Sequence, residues 1–267
     1  MYGAIIGDIV GSRFEFTTNK TKDFDLFTED VNFTDDTVMT IAIADALIGQ
    51  DSNDINVIKT SIVMSMLRWG HKYMNCGFGG MFHSWLLGST NYMPYNSYGN
   101  GSAMRVSSVG WLYDSLEKTQ TIAKYTAEVT HNHQEGIKGA ESVASAIWLA
   151  RHKYDKEYIK QYIKDTYKYN LDRTCDEIRK VYTFNVTCQK TVPEAIISFL
   201  EGNSYEEVIR LAISLGGDAD TIGAIAGSIA EAYYGIPNEF IKKCNKIIPK
   251  EMIKVINQFK EKINGEN

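Results

Sequence analysis

Thr34-Asp35-Asp36-Thr37 leads directly into Val38-Met39-Thr40-Ile41-Ala42-Ile43-Ala44-Asp45-Ala46-Leu47-Ile48, and this stretch decides how the rest of the chain reads. From Val38 to Ile48 the apolar residues Ile41, Ala42, Ala44 and Leu47 recur at helical spacing, so a helix with one buried face is expected. In front of it stand two carboxylates and two hydroxyls. Asp and Thr are ordinary N-cap residues, but a cap needs only one side-chain acceptor. The surplus is the informative part. Gly216-Gly217-Asp218-Ala219-Asp220-Thr221 repeats the arrangement before the helical run Thr221 to Tyr234. Carboxylate and hydroxyl oxygens are hard ligands that suit Mg²⁺, Mn²⁺ or Ca²⁺. Four such carboxylates brought together without cations would repel one another, and some would stay protonated. The expectation is two helix entrances facing each other around a pair of metal ions.

Outward from these stretches the pattern stays helical, and only four prolines interrupt it. Tyr2 to Val10 is an apolar first helix. Its Gly3, Gly7 and Gly11 recur every four residues, so one face admits another backbone closely. Gly223 and Gly227, also four apart, suggest tight packing beside the second acidic turn. Phe16 to Phe33 is a long polar loop, and loops of that length commonly carry function. Asp54 caps a helix reaching about Tyr73, and further helices are expected over Met81–Leu87, Ala103–Tyr113, Glu117–Val129 and Glu135–Lys153. Val192–Leu200, Tyr205–Leu215 and a final pair from Pro237 to about Lys262 complete the set. Val181 to Cys188 is the one strand candidate, and the tail Asn264-Gly265-Glu266-Asn267 is expected to fray. No Pro/Gly/Ser linker divides the chain, so residues 1–267 read as one all-α domain with its polar chemistry on inter-helix loops.

Composition excludes more than it assigns. A chain of 267 residues can bury a sizeable core. Its net charge of −5 is well mixed and calls for neither nucleic acid nor an anionic membrane. Lys156, Lys160, Lys164 and Lys168 form a stripe that reads as a solvated helix face. Four scattered cysteines without a CxxC pair fit reduced thiols, and with no signal-peptide pattern at Met1–Val10 a cytoplasmic setting is expected. No stretch is long and apolar enough to span a bilayer.

Taken together, Gly7-Asp8-x-x-Gly11-x-x-x-Glu15, Thr34-Asp35-Asp36-Thr37-x-Met39, Ser97-Tyr98-Gly99-Asn100-Gly101-x-Ala103-Met104-Arg105, Thr130-His131 and Gly217-Asp218-x-Asp220-Thr221 resemble the ADP-ribosylglycohydrolase family. They occur in the family's order and span almost the whole chain. The resemblance implies an all-α fold with two Mg²⁺ ions, Mn²⁺ being an alternative, held by Thr34, Asp35, Asp36, Asp218, Asp220 and Thr221. It implies Glu15 beside the metals, with Glu15 or Asp35 as the group that activates water or helps the leaving group depart. Ser97, Tyr98, Gly99 and Asn100 would lie along a pyrophosphate, Tyr98 near the adenosine half, and His131 would help hold the nucleotide. Glycine-rich turns and helix N-termini do present N–H groups to phosphate. The implied activity is Mg²⁺-dependent release of ADP-ribose from a modified protein or small molecule. Where arginine-directed members carry an acidic motif, this chain reads Gly77-Phe78-Gly79-Gly80, which tilts the reading slightly toward an O-linked substrate and leaves arginine-linked ADP-ribose, O-acetyl-ADP-ribose and ADP-ribosylated nucleobases open. Two other readings are a non-catalytic ADP-ribose reader and a different two-metal hydrolase such as a phosphoesterase.

Overall fold

A computed structural model describes residues 1–265, and among them the architecture is helical with no sheet. In order, the helices are α1 (Tyr2–Gly11), α2 (Asp35–Ile48), α3 (Ile55–Lys72), α4 (Gly80–Leu86), α5 (Gly101–Met104), α6 (Val109–Leu112), α7 (Leu116–Glu128) and α8 (Gln134–Arg151). They continue as α9 (Lys156–Tyr167), α10 (Cys175–Val181), α11 (Cys188–Glu201), α12 (Tyr205–Ser214), α13 (Ala219–Tyr234), α14 (Asn238–Ile247) and α15 (Lys250–Gly265).

The two helices at the centre are α1 and α13. Every residue of α1 is buried, and α13 is buried from Ala219 through Ala230. Helices apolar on all sides belong in the middle of a bundle. Their glycines are each other's partners. A Cβ on Gly7 would stand 2.1 Å from the Gly223 carbonyl oxygen, and one on Gly3 would stand 2.2 Å from that of Gly227. Backbone thus touches backbone along the pair, as the fourfold glycine spacing anticipates. Gly11 extends the contact to Asp220, where a Cβ would lie 2.4 Å from Cα. That last contact carries the start of α13 to the end of α1. Around this pair, α8, α11 and α12 pack against α13, while α2 packs against α1 and carries α3 and α15 on its other sides.

Several expectations are revised. Ala103–Tyr113 is not one helix: α5 ends at Met104 and α6 begins at Val109, with Arg105 buried between them. Val181–Cys188 is no strand. Val181 ends α10, and the segment after it makes a single antiparallel bridge, Gly99 to Thr187. Helix α11 starts at Cys188, a full turn before Pro193. Helix α10 opens on a capping box in which Thr174 and Glu177 satisfy each other's backbone N–H groups. The lysine stripe keeps a surface face, with Lys168 exposed, but three of its lysines have partners. Lys156 donates to the Leu200 and Gly202 carbonyls at the end of α11, and Lys160 and Lys164 pair with Asp172. The tail stays helical through Gly265, and its last two residues lie outside the described residues. No helix among the described residues is long and apolar enough to cross a membrane.

Candidate active site

The polar loop between α1 and α2 is held by cations that grip backbone carbonyls. Lys20 Nζ donates to the Tyr182 carbonyl (2.7 Å) and to that of Leu215, Arg13 to Asp25 (2.7 Å), and Arg210 to Phe24 (2.7 Å). The loop then delivers Thr34 to the N-terminus of α2. There the Thr34 hydroxyl caps the Asp36 N–H and donates to Asp8 Oδ1 (2.7 Å). Asp8 is the residue sequence reasoning left without a role. Its Oδ2 accepts from the backbone N–H of Thr34 (2.9 Å) and of Thr37 (3.0 Å). One buried carboxylate of α1 therefore anchors the whole entrance of α2. The available signal was a lone Asp in an apolar helical run, since a buried carboxylate needs several donors.

The second entrance is shaped by consecutive left-handed glycines, Gly216 (φ 73°) and Gly217 (φ 75°). Other residues are strained there, and a Cβ on Gly217 would also strike the Tyr182 ring at 2.7 Å. This turn sends Asp218 and Asp220 toward α2. The two entrances meet: Thr221 Oγ1 donates to Asp36 Oδ2 (3.1 Å), and Thr34 Oγ1 lies 3.4 Å from Asp220 Oδ2. Oxygen atoms of Asp8, Asp36 and Asp220 lie within 4.8 Å of one another, and so do those of Glu15, Asp218 and Asp220. Asp220 belongs to both groups. Asp35 belongs to neither, though it lines the same cavity.

Packing this many carboxylates without cations is costly, and their protonation records it. Burial raises Glu15 to about 8, helped by the charges of Asp220 and Asp8. Burial likewise raises Asp8 and Asp218 to about 6. Asp35, Asp36 and Asp220 are raised well above the carboxylate range, first by burial and then by their neighbours' charge. Asp36 Oδ1 is buried without any hydrogen-bond partner. An all-oxygen donor set with an orphaned, desolvated carboxylate oxygen fits hard divalent cations. These groups can hold metal ions.

They border a cavity of about 390 Å³. Its acidic side comprises Glu15, Asp35, Asp36, Asp218, Asp220 and Thr221, and its lining also includes Ser97, Gly99, Asn100 and His131. Thr34 and Tyr98 are not part of that lining. The Tyr98 ring sits outside, against His133 at 5.3 Å between centroids. Asn100 ties the glycine turn to the acidic turn, its Nδ2 donating to Asp218 Oδ2 (2.6 Å). Two backbone N–H groups of the glycine turn are already used: Gly99 donates to Ser97 Oγ (3.1 Å) and Asn100 to the Val186 carbonyl (2.8 Å). Phe16 and Phe184 face each other at the cavity edge with ring centroids 5.5 Å apart. Gly77, where a Cβ would lie 3.4 Å from Asp35 Oδ1, lines the cavity together with Gly79 and Gly80, and none of the three presents a side chain.

Against known proteins, the model of the ADP-ribosylglycohydrolase family matches residues 1–266. Human ADP-ribosylhydrolase ARH3 is 25% identical over 91% of this chain and 87% of its own length. ADP-ribosylarginine hydrolase Tri1 of Pseudomonas putida is 26% identical over 91% of this chain and 72% of its own. A solved structure described as an ADP-ribosylglycohydrolase-related protein complex superposes with a TM-score of 0.73 at 22% identity, covering 96% of this chain and 94% of that one. The family model matches along nearly the full sequence, and the chain belongs to the ADP-ribosylglycohydrolase family.

Proposed function

We propose that this chain is a Mg²⁺-dependent hydrolase that releases ADP-ribose from an O-glycosidic conjugate. The observation that supports this most is the sharing of Asp220 between two three-carboxylate groups at the wall of a cavity that also contains the glycine turn. Two Mg²⁺ ions, or Mn²⁺ with the same oxygen preference, would supply Lewis-acid charge and cancel the carboxylate repulsion. Asp36, Asp218 and Asp220, with Thr34, Thr221 and Asp35, are the residues that would hold them, and Asp8 and Glu15 complete the two groups beside them. Glu15 and Asp35 are the candidate proton carriers. Glu15, raised to about 8 by burial and the neighbouring carboxylates, keeps its proton at neutral pH and sits partly buried at the cavity edge beside Phe16. Ionised beside cations, the same carboxylate would accept a proton from water. Met39, Met81, Phe82 and Met104 give the cavity an apolar portion suited to a base.

The O-linked class is placed first because of the wall beside Asp35. An arginine conjugate presents a guanidinium with several donors and a charge. Gly77, Gly79 and Gly80 offer it no side-chain anion. ARH3 and the arginine-directed Tri1 are similarly distant from this chain, so identity does not decide between linkages.

The test is release of free ADP-ribose from serine-linked, arginine-linked and O-acetyl conjugates, each with Mg²⁺ and with a chelator. Mg²⁺-dependent release from the serine-linked member is expected, with both release and Mg²⁺ binding lost in Asp220→Ala. Activity that survives the chelator or this substitution would refute the metal role. Binding of ADP-ribose without release from any conjugate would make the chain a reader. Liberation of inorganic phosphate would make it a phosphoesterase.

A further inference from the structure

Arg105 is the anomaly of the cavity. It is 1% exposed, lies between α5 and α6, and lines the cavity. Buried arginines normally face a carboxylate. Among the described residues Arg105 has none; its Nη2 donates to the Thr126 carbonyl (2.6 Å) and to Thr130 Oγ1 (2.8 Å), and its buried Nε has no partner. The Thr130 hydroxyl lies 2.8 Å from His131 Nδ1. His131 is 5% exposed, and its Nε2 faces the glycine turn, 3.1 Å from where a Cβ on Gly101 would stand and 3.5 Å from one on Gly99.

Donor chemistry limits the proton order. A guanidinium can only donate, so Thr130 Oγ1 accepts from Arg105. Giving its single hydrogen to His131 Nδ1, 2.8 Å away, then lets Thr130 Oγ1 donate and accept at once. In a neutral imidazole whose Nδ1 accepts, the proton sits on Nε2. Burial and the Arg105 charge both keep the ring neutral. Tyr95, whose ring packs 5.8 Å from that of His131, also reaches Thr130. Burial pushes the Tyr95 phenol up to about 12.

We propose that Arg105 and Thr130 are positioning residues that fix His131 as the neutral Nε2–H tautomer, a single oriented donor to a phosphate oxygen of the bound substrate. The ligand half rests on the ADP-ribose reading above; the tautomer half does not. An unpaired guanidinium behind one oriented N–H is an anion-binding arrangement, and its donors are fixed before the ligand arrives.

The experiment is ¹⁵N NMR of the histidine rings in the full chain, without ligand and without metal, using His131→Gln for assignment. His131 is expected to show an unprotonated Nδ1 and a protonated Nε2. Thr130→Val, nearly isosteric, should shift the ring toward the other tautomer, and Thr130→Ser should restore it. In parallel, calorimetry with free ADP-ribose should show roughly tenfold weaker binding for Thr130→Val, as expected for a lost bond to a charged group, and recovery for Thr130→Ser. If hydrolysis is active, the loss should fall in KM and leave kcat nearly unchanged. Arg105→Lys supplies a second variant if Thr130→Val folds poorly; it should weaken ADP-ribose binding comparably. A protonated Nδ1 in the wild-type ring, or a tautomer indifferent to Thr130→Val, overturns the proposal. The expected tautomer with no ADP-ribose binding by the wild type overturns the phosphate assignment together with the functional reading, and leaves the Arg105–Thr130 arrangement standing.

Discussion

Asp8 shows how much one side chain can organise. It satisfies two backbone N–H groups and one hydroxyl, all belonging to the turn that presents Asp35 and Asp36. Asp8→Ala removes all three bonds and leaves the Thr34 and Thr37 N–H groups without their acceptor. With Mg²⁺ present, a loss of about 2–3 kcal/mol is expected from denaturant unfolding, with weaker metal binding by calorimetry because the turn shifts. Asp8→Asn should keep more than half of that stability, because its single oxygen can still serve the two N–H groups while Thr34 turns to accept from the amide. Equal losses in both variants would mean that charge, not hydrogen bonding, is what Asp8 contributes. The acidic turns were legible in the sequence because a surplus of carboxylates at a cap is visible locally. The role of Asp8 was not, since its partners lie 26 and 29 residues away. The break at Arg105 was equally hidden, because a buried cation held by neutral partners leaves no pattern in hydropathy.

Among the helices, the pairing of α1 with α13 sets the distance between the two halves of the site. Gly7→Ala should lower stability by about 3 kcal/mol, at the upper end for overpacking, because the obstacle is a carbonyl that cannot rotate away. The same substitution should abolish tight Mg²⁺ binding, since Asp8 and Glu15 would withdraw from Asp220. Gly49→Ala is the control. Its φ of −98° suits any residue and a Cβ there meets nothing within 4 Å, so its midpoint should match the wild type. Equal midpoints for both variants would show that the close contact is not needed. Here the sequence was a good guide: glycines every fourth residue in two apolar helices mark close-packed faces, and each proved to be the other's partner. Helix α10 was also within reach, because Thr174 and Glu177 stand at capping-box spacing in a stretch whose polarity drew attention away from it. The segment after it resembles a strand because its β-branched and aromatic residues suggest pairing, whereas Phe184 and Val186 line the cavity and only Thr187 bridges to Gly99.

At the scale of the whole molecule, the carboxylate cluster sets how stability depends on pH. Asp8 and Asp218 are raised to about 6 and Glu15 to about 8 in the cation-free protein. Between about pH 4 and pH 8 the folded chain therefore binds more protons than the unfolded one, and stability falls as pH rises through that window. Tm measured in chelator should drop from about pH 5 to about pH 8. Saturating Mg²⁺ should raise Tm most at the alkaline end, where the carboxylates are most ionised. A chelated Tm that climbs across this range would contradict the account. The contact between α1 and α13 also has a consequence in time. During synthesis, the glycine face of α1 is made roughly two hundred residues before its partner, on the order of 10–40 s at ribosomal rates. Until then a helix built to be surrounded has nothing to surround it, and half a metal site waits for the other half. Emergence of α13 is thus the moment at which the two carboxylate groups can form, so a nascent chain stalled before Ala219 carries every residue of the first acidic turn without the partner that completes them.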